Sequence, residues 1–199
     1  LVDRMKKVAI TPDEQLACLL AAGRLNERLN KPTEAMDLYQ SILDDDKLST
    51  ATWSGPRLLT RGELEVTRRM EQLVQEKGLS VYASHDARAR DAAAKLPAEA
   101  SPDDLISLAT RYPVSSITWS LWTRVADEYK RRGRDHGVVG ALESALEAAQ
   151  RLPGSPAEPV PAVAGRLVTE LESRQQFAAA GNVLHTMVEK YPGIKLTLN

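Results

Sequence analysis

Cys18 is the only cysteine in 199 residues, which excludes an internal disulfide and any multi-cysteine metal site. Aromatic residues are also scarce, at 5% with a single Phe. The core must therefore be built mainly from Leu, Ala and Val, side chains that suit close helix–helix packing better than a sandwich. No apolar run approaches the roughly 18 residues of a membrane span, so insertion is not expected. Neither charge dominates. The 26 basic and 27 acidic residues leave a net charge of -1. No overall field draws the chain to nucleic acid or to an anionic membrane. Phosphate-binding glycine loops, the HExxH zinc pattern, the GxSxG elbow and a calcium loop are all missing. No signal-peptide pattern opens the chain, and the first residue is Leu1, so the sequence reads as part of something longer.

Helix-start signals are plentiful. Thr11-Pro12-Asp13-Glu14 offers a capping hydroxyl, a proline at the first helical position and a carboxylate three residues after the cap. Ser101-Pro102-Asp103-Asp104 and Ser155-Pro156-Ala157-Glu158 repeat the arrangement, and Thr60-Arg61-Gly62-Glu63 does so without the proline. Apolar residues then recur at helical spacing: Leu16, Leu19, Leu20 and Gly23; Ala35, Leu38, Tyr39 and Ile42; Val66, Met70, Leu73 and Val74. The pattern continues through Trp122, Val125, Ala126 and Tyr129, then Val138, Ala141, Leu142 and Ala145. Val163, Leu167 and Leu171, then Phe177, Ala180, Leu184, Met187 and Tyr191, complete it. Strand-like alternation is confined to Ile194–Leu198, with a weak trace at Val114–Trp119. Pro, Gly and Ser mark loops at 47–56, 97–102 and 152–161, the last being the best boundary between sub-bundles. The predicted organisation is a helical repeat region over 1–153 and a C-terminal hairpin with a short extended tail over 154–199, forming one continuous solenoid.

Two internal echoes indicate a degenerate repeat. Leu105–Pro113 resembles Leu184–Pro192, and Ala92–Pro97 resembles Ala148–Pro153. Leu19, Ala22, Gly23 and Asn26, followed by Ala35 and Tyr39, resemble the two helices of a tetratricopeptide repeat, a unit of about 34 residues. Trp122, Val125, Ala126, Tyr129 and Gly133 resemble a first helix and its turn, although Val138 then stands where a small residue is expected. Leu167, Leu171, Ala180, Leu184 and Pro192 resemble a third copy. The stretch Gly78–Tyr82, Asp86–Ala89 and Leu105–Pro113 resembles a region of large bacterial proteins that join such helices to β-propeller repeats of the pyrroloquinoline-quinone-binding type. That resemblance implies export to the periplasm or cell envelope. It implies no quinone site here, because no propeller is present in this segment.

Candidate chemistry is sparse. His85, His136 and His185 are far apart; His185 and Glu189 could supply two metal ligands but lack a third. Asp44-Asp45-Asp46 reads as a solvated helix end, and Cys18 as a small core residue. Lys130-Arg131-Arg132-Gly133-Arg134 could bind RNA, but cations also complement a helix C-terminus. Trp53, beside Gly55 and Pro56, and Trp119 are candidate contact residues, with Arg111 and Arg124 as accompanying cations.

The sequence therefore predicts an all-α protein, a right-handed, curved α-solenoid of about ten helices in stacked antiparallel hairpins. The expected role is non-enzymatic protein–protein interaction or scaffolding within a larger envelope protein. A spacer between domains is the main alternative, and RNA binding by the helical repeat a further one. No catalytic residue, cofactor or metal is expected, and the partner is a protein or peptide rather than a small molecule.

Overall fold

Helix-favouring sequence with explicit start and stop signals gives a chain dominated by helix. The computed structural model describes residues 10–54, 59–152, 159–193 and 195. Helix accounts for 78% of it, and the one sheet among the described residues has two strands. The protein is all-α, as expected. The Ser155 start signal and the Ile194–Leu198 alternation lie outside the described residues, apart from Lys195. The chain divides into two compact units, Leu1–Arg88 with Arg111–Ser115, and Ala89–Thr110 with Ser116–Asn199.

The first unit begins with α1 (Pro12–Arg28), α2 (Pro32–Leu43) and α3 (Asp46–Thr50). At α1 the predicted capping box is complete: the Glu14 N–H donates to Thr11, and the Glu14 carboxylate accepts from the Thr11 N–H. Those bonds to the Thr11 and Ile10 backbone also hold the Glu14 carboxyl below its ordinary pKa. Asn30 turns the chain between α1 and α2 with φ 55°, a left-handed conformation that asparagine tolerates. The two helices pack together through fully buried Leu16, Leu20, Ala35, Met36 and Tyr39. Each such large apolar side chain contributes roughly 1.5–3 kcal/mol by leaving water. Cys18 is half-buried at the edge of this core rather than within it.

A hairpin missing from the sequence reading follows. Strands β1 (Thr52–Ser54) and β2 (Leu59–Arg61) pair antiparallel, with Trp53 opposite Thr60. Thr60 was expected to cap the next helix. The ladder instead holds Thr60 extended, and α4 (Gly62–Lys77) starts two residues later without a side-chain cap. Gly62 is required at that start, because a Cβ there would stand 2.6 Å from the Leu48 carbonyl oxygen. Gly78, at φ +84°, ends α4, and a 3₁₀ turn at Leu79–Tyr82 leads into α5 (Ala83–Lys95). The boundary between the two units falls inside α5.

The second unit contains α6 (Pro102–Arg111, except its last residue), α7 (Thr118–Arg131), α8 (Val138–Arg151), α9 (Pro159–Ser173) and α10 (Phe177–Lys190). Ser101 caps α6 as predicted, accepting from the Asp104 N–H at 3.1 Å. Each of α7, α8 and α9 packs on the helix that follows it. Helix α8 is thereby covered on two sides, and its buried Ala141, Ala145, Ala148 and Ala149 keep both neighbours close. Leu105 and Ala109 of α6 join the same core as Leu121, Val125, Leu142 and Leu167. On α7 the buried stripe is centred on Leu121 and Val125; Trp122 and Tyr129, assigned to it from spacing, are half-buried beside it.

Candidate interaction surface

Arg111, marked as a surface cation, belongs to a polar hub in the first unit. Its Nε donates to Asp44 Oδ1 at 2.7 Å, and Arg88 reaches the other Asp44 oxygen at 3.3 Å. Gln40 Nε2 donates both to Asp44 and to the Arg111 carbonyl, at 3.1 and 2.9 Å. Burial alone would raise the Asp44 carboxyl, but the bonds from Arg111 and Gln40 outweigh it and hold the group below its ordinary value. Asp44 is thus not a solvated helix end. Asp45 begins α3 instead, accepting from the Lys47 N–H. Gln40 also accepts from the Tyr82 hydroxyl at 2.5 Å, and burial pushes that phenol up.

His85 is buried beside this hub, 6% exposed. Its Nδ1 faces Arg88, which can only donate, so Nδ1 accepts and the Nε2–H is left to donate to Asp37 at 2.8 Å. Nothing in the sequence singled out this group as a network. The available signal was Gln40, a polar residue on the stripe Met36, Tyr39, Gln40, Leu43, whose burial required a partner.

Trp53 lies on β1 rather than in a loop, and its ring is stacked by the Arg24 guanidinium 4.9 Å from the centroid. Arg24 pairs with Glu65 at 3.0 Å, Arg69 with both Glu65 and Glu27, and the Tyr39 hydroxyl donates to Glu27. Burial would raise the Glu65 carboxyl, yet Arg68 and Arg69 hold it low. Trp53 and Arg24 are therefore engaged within the unit.

In the second unit, Trp119 packs half-buried against the core, and Arg124 donates to the Pro97 carbonyl at 3.1 Å. The basic run is largely matched by acids. Arg131 and Arg132 pair with Glu128, at 2.7 and 3.3 Å, and Lys130 with Glu170 at 3.1 Å. Exposed His185 and Glu189 pair with each other at 3.2 Å. Among the described residues no group of three metal-binding side chains forms.

Exposed large apolar side chains occur in both units: Ile10, Leu25, Leu29, Leu59 and Leu64 in the first, and Phe177 and Val188 in the second, both on α10. Only Ala180 and Met187 of that helix are buried. Phe177 and Val188 are 66% and 67% exposed, and together with Gly181 and half-buried Leu184 they form a stripe spaced four, three and four residues apart. On the other flank of α10, facing α8, a groove of about 470 Å³ is floored by Leu146, Leu167, Val183 and Met187. No helix among the described residues is long and apolar enough to cross a membrane.

No known protein family matches the chain, and no curated protein shows significant similarity to it.

Proposed function

We propose that this chain is a tetratricopeptide-like stack of helical hairpins that serves as a protein–protein interaction or scaffolding module of a larger protein, and not as an enzyme. The observation that carries the reading is the outer face of α10. A helix that closes a stack needs a polar outer side to stay in solution. Helix α10 presents exposed Phe177 and Val188 instead, with Leu184, half-buried against the core, between them, at the spacing with which one helix packs on another. The occupant that fits this stripe is a further amphipathic helix. The sequential packing of α7 on α8, α8 on α9 and α9 on α10 supports the same reading, because an eleventh helix on α10 would continue it. The engagement of the polar clusters in internal pairs fits a module without chemistry. Placement in a bacterial cell envelope rests on the family resemblance alone.

The test is a double variant at the two exposed positions, Phe177→Ser and Val188→Asn. The wild-type chain is expected to bind an apolar dye and to associate as its concentration rises in analytical ultracentrifugation. The variant is expected to do neither while keeping its thermal midpoint. A wild-type chain that stays monomeric and dye-free would overturn the reading. So would a variant that fails to fold, since the stripe would then belong to the core.

A further inference from the structure

The groove between α8 and α10 exists because both helices pack on α9 and leave a gap above it. Its floor is apolar, formed by Leu146, Leu167, Val183 and Met187. Its two walls are polar and differ in charge. On the α8 side, Glu143, Glu147 and Gln150 stand at i, i+4 and i+7, a single line along the helix. On the α10 side, Asn182 and Thr186 stand one turn apart and carry no charge. Among the described residues no Lys or Arg lines the groove; the cation on α8 is Arg151, which pairs with Glu147 at 3.1 Å. Glu143 is exposed and has no ion-pair partner among the described residues. The volume of about 470 Å³ falls within the range of built ligand pockets, and it has an apolar floor under few polar groups, as such pockets do.

We infer that this groove docks a basic amphipathic peptide segment of a partner protein, with apolar side chains on the floor and a Lys or Arg row against Glu143 and Glu147. The inference rests on the interaction reading above and names the partner's chemistry. An acidic segment would set like charges along α8, and a neutral one would leave Glu143 facing an apolar ligand without compensation. A cation alone would not use the floor. The line of three residues on α8 spans about two helical turns, roughly 10 Å, enough for one or two anchoring side chains and not for a long interface.

The experiment uses the whole chain with labelled Leu, Val and Met methyl groups. It is titrated with two short synthetic peptides of the same Leu/Ala pattern, one flanked by Lys and one by Glu. The Lys peptide is expected to shift the methyl signals of Leu146, Val183 and Met187, and to bind about tenfold or more tighter than the Glu peptide. Glu143→Lys with Glu147→Lys, both exposed positions, should invert that preference. Thr186→Trp, filling the groove from the other wall, should abolish binding of either peptide. Equal binding of the two peptides, or no shift at high micromolar concentration, overturns the inference. Shifts confined to Leu184 and Val188 overturn it too, while leaving the broader interaction reading intact, since the partner would then sit on the outer stripe.

Discussion

The Tyr39 ring lies directly over Gly23, so close that a Cβ on Gly23 would stand 2.3 Å from the ring's Cε1. Tyr39 is fully buried and its hydroxyl is held by Glu27, so the ring has nowhere to go. Gly23→Ala should therefore destabilise the protein by about 1–3 kcal/mol, despite the better helix propensity of alanine. Gly140→Ala and Gly181→Ala are the controls. Both positions are helical and open, with nothing near the added methyl. Each should stabilise by up to about 1 kcal/mol. Urea denaturation of the three variants reads the contrast directly. A stabilising Gly23→Ala would mean that the α1–α2 crossing is wider than described.

Tyr82→Phe removes one hydroxyl and leaves the buried Gln40 Oε1 without its donor. The expected loss is about 1–3 kcal/mol, the desolvation cost of an unsatisfied polar atom. Gln40→Met in the same background should cost more, because it also strips Asp44 and the Arg111 carbonyl of the donor that Gln40 Nε2 supplies. If the double variant is no less stable than Tyr82→Phe, those two bonds are not where the energy lies.

Acid should weaken the first unit through Asp44 and Glu65. Both carboxyls are held below their ordinary values in the folded chain, by Arg111 and Gln40 in one case and Arg68 and Arg69 in the other, against the opposing effect of burial. A depressed folded pKa contributes stability that is present above the unfolded value, near 4, and lost as pH falls through the folded value. Thermal midpoints measured from pH 7 downward should hold to about pH 4 and then drop. Asp44→Asn should lower the midpoint at pH 7 and flatten the acid limb. An unchanged limb would remove Asp44 from the account.

The two hydroxyls that looked alike in sequence should behave differently. Ser101→Ala removes the cap of α6 and should cost about 1 kcal/mol. Thr60→Ala should act only through strand pairing with Trp53, since Thr60 caps nothing. A β-branched residue at 60, such as Val, should then restore stability. Failure of Thr60→Val to do so would favour a capping role.

Helices were legible because their signals are local. Thr11, Ser101 and the period of Leu16, Leu19 and Leu20 act within one or two turns, and the described helices begin and pack where those residues stand. The close approach at Gly23 was legible for a related reason, since a glycine on an apolar helical face has few other uses. The β1–β2 hairpin was not, because each strand is three residues long and its alternation is too short to register. The Asp44 hub was also hidden. Its members are separated by up to 71 residues, and a charged side chain gives no sign in one dimension of which opposite charge it will meet. Arg111, Arg124 and Trp53 were singled out as surface residues for that reason, and each has a partner within its own unit.

The two-sided cover of α8 also sets an order of opening. Its alanine-rich faces are packed against α7 and α9 together, so unwinding it breaks the packing on both neighbours at once. Helix α10 has two buried residues among those described and packs chiefly on α9, so its detachment breaks less packing than the loss of α8. Hydrogen exchange within this unit should therefore run from α10 inward, with α8 protected longest. A ligand seated in the groove beside α10 would slow the first of these openings before it altered any other.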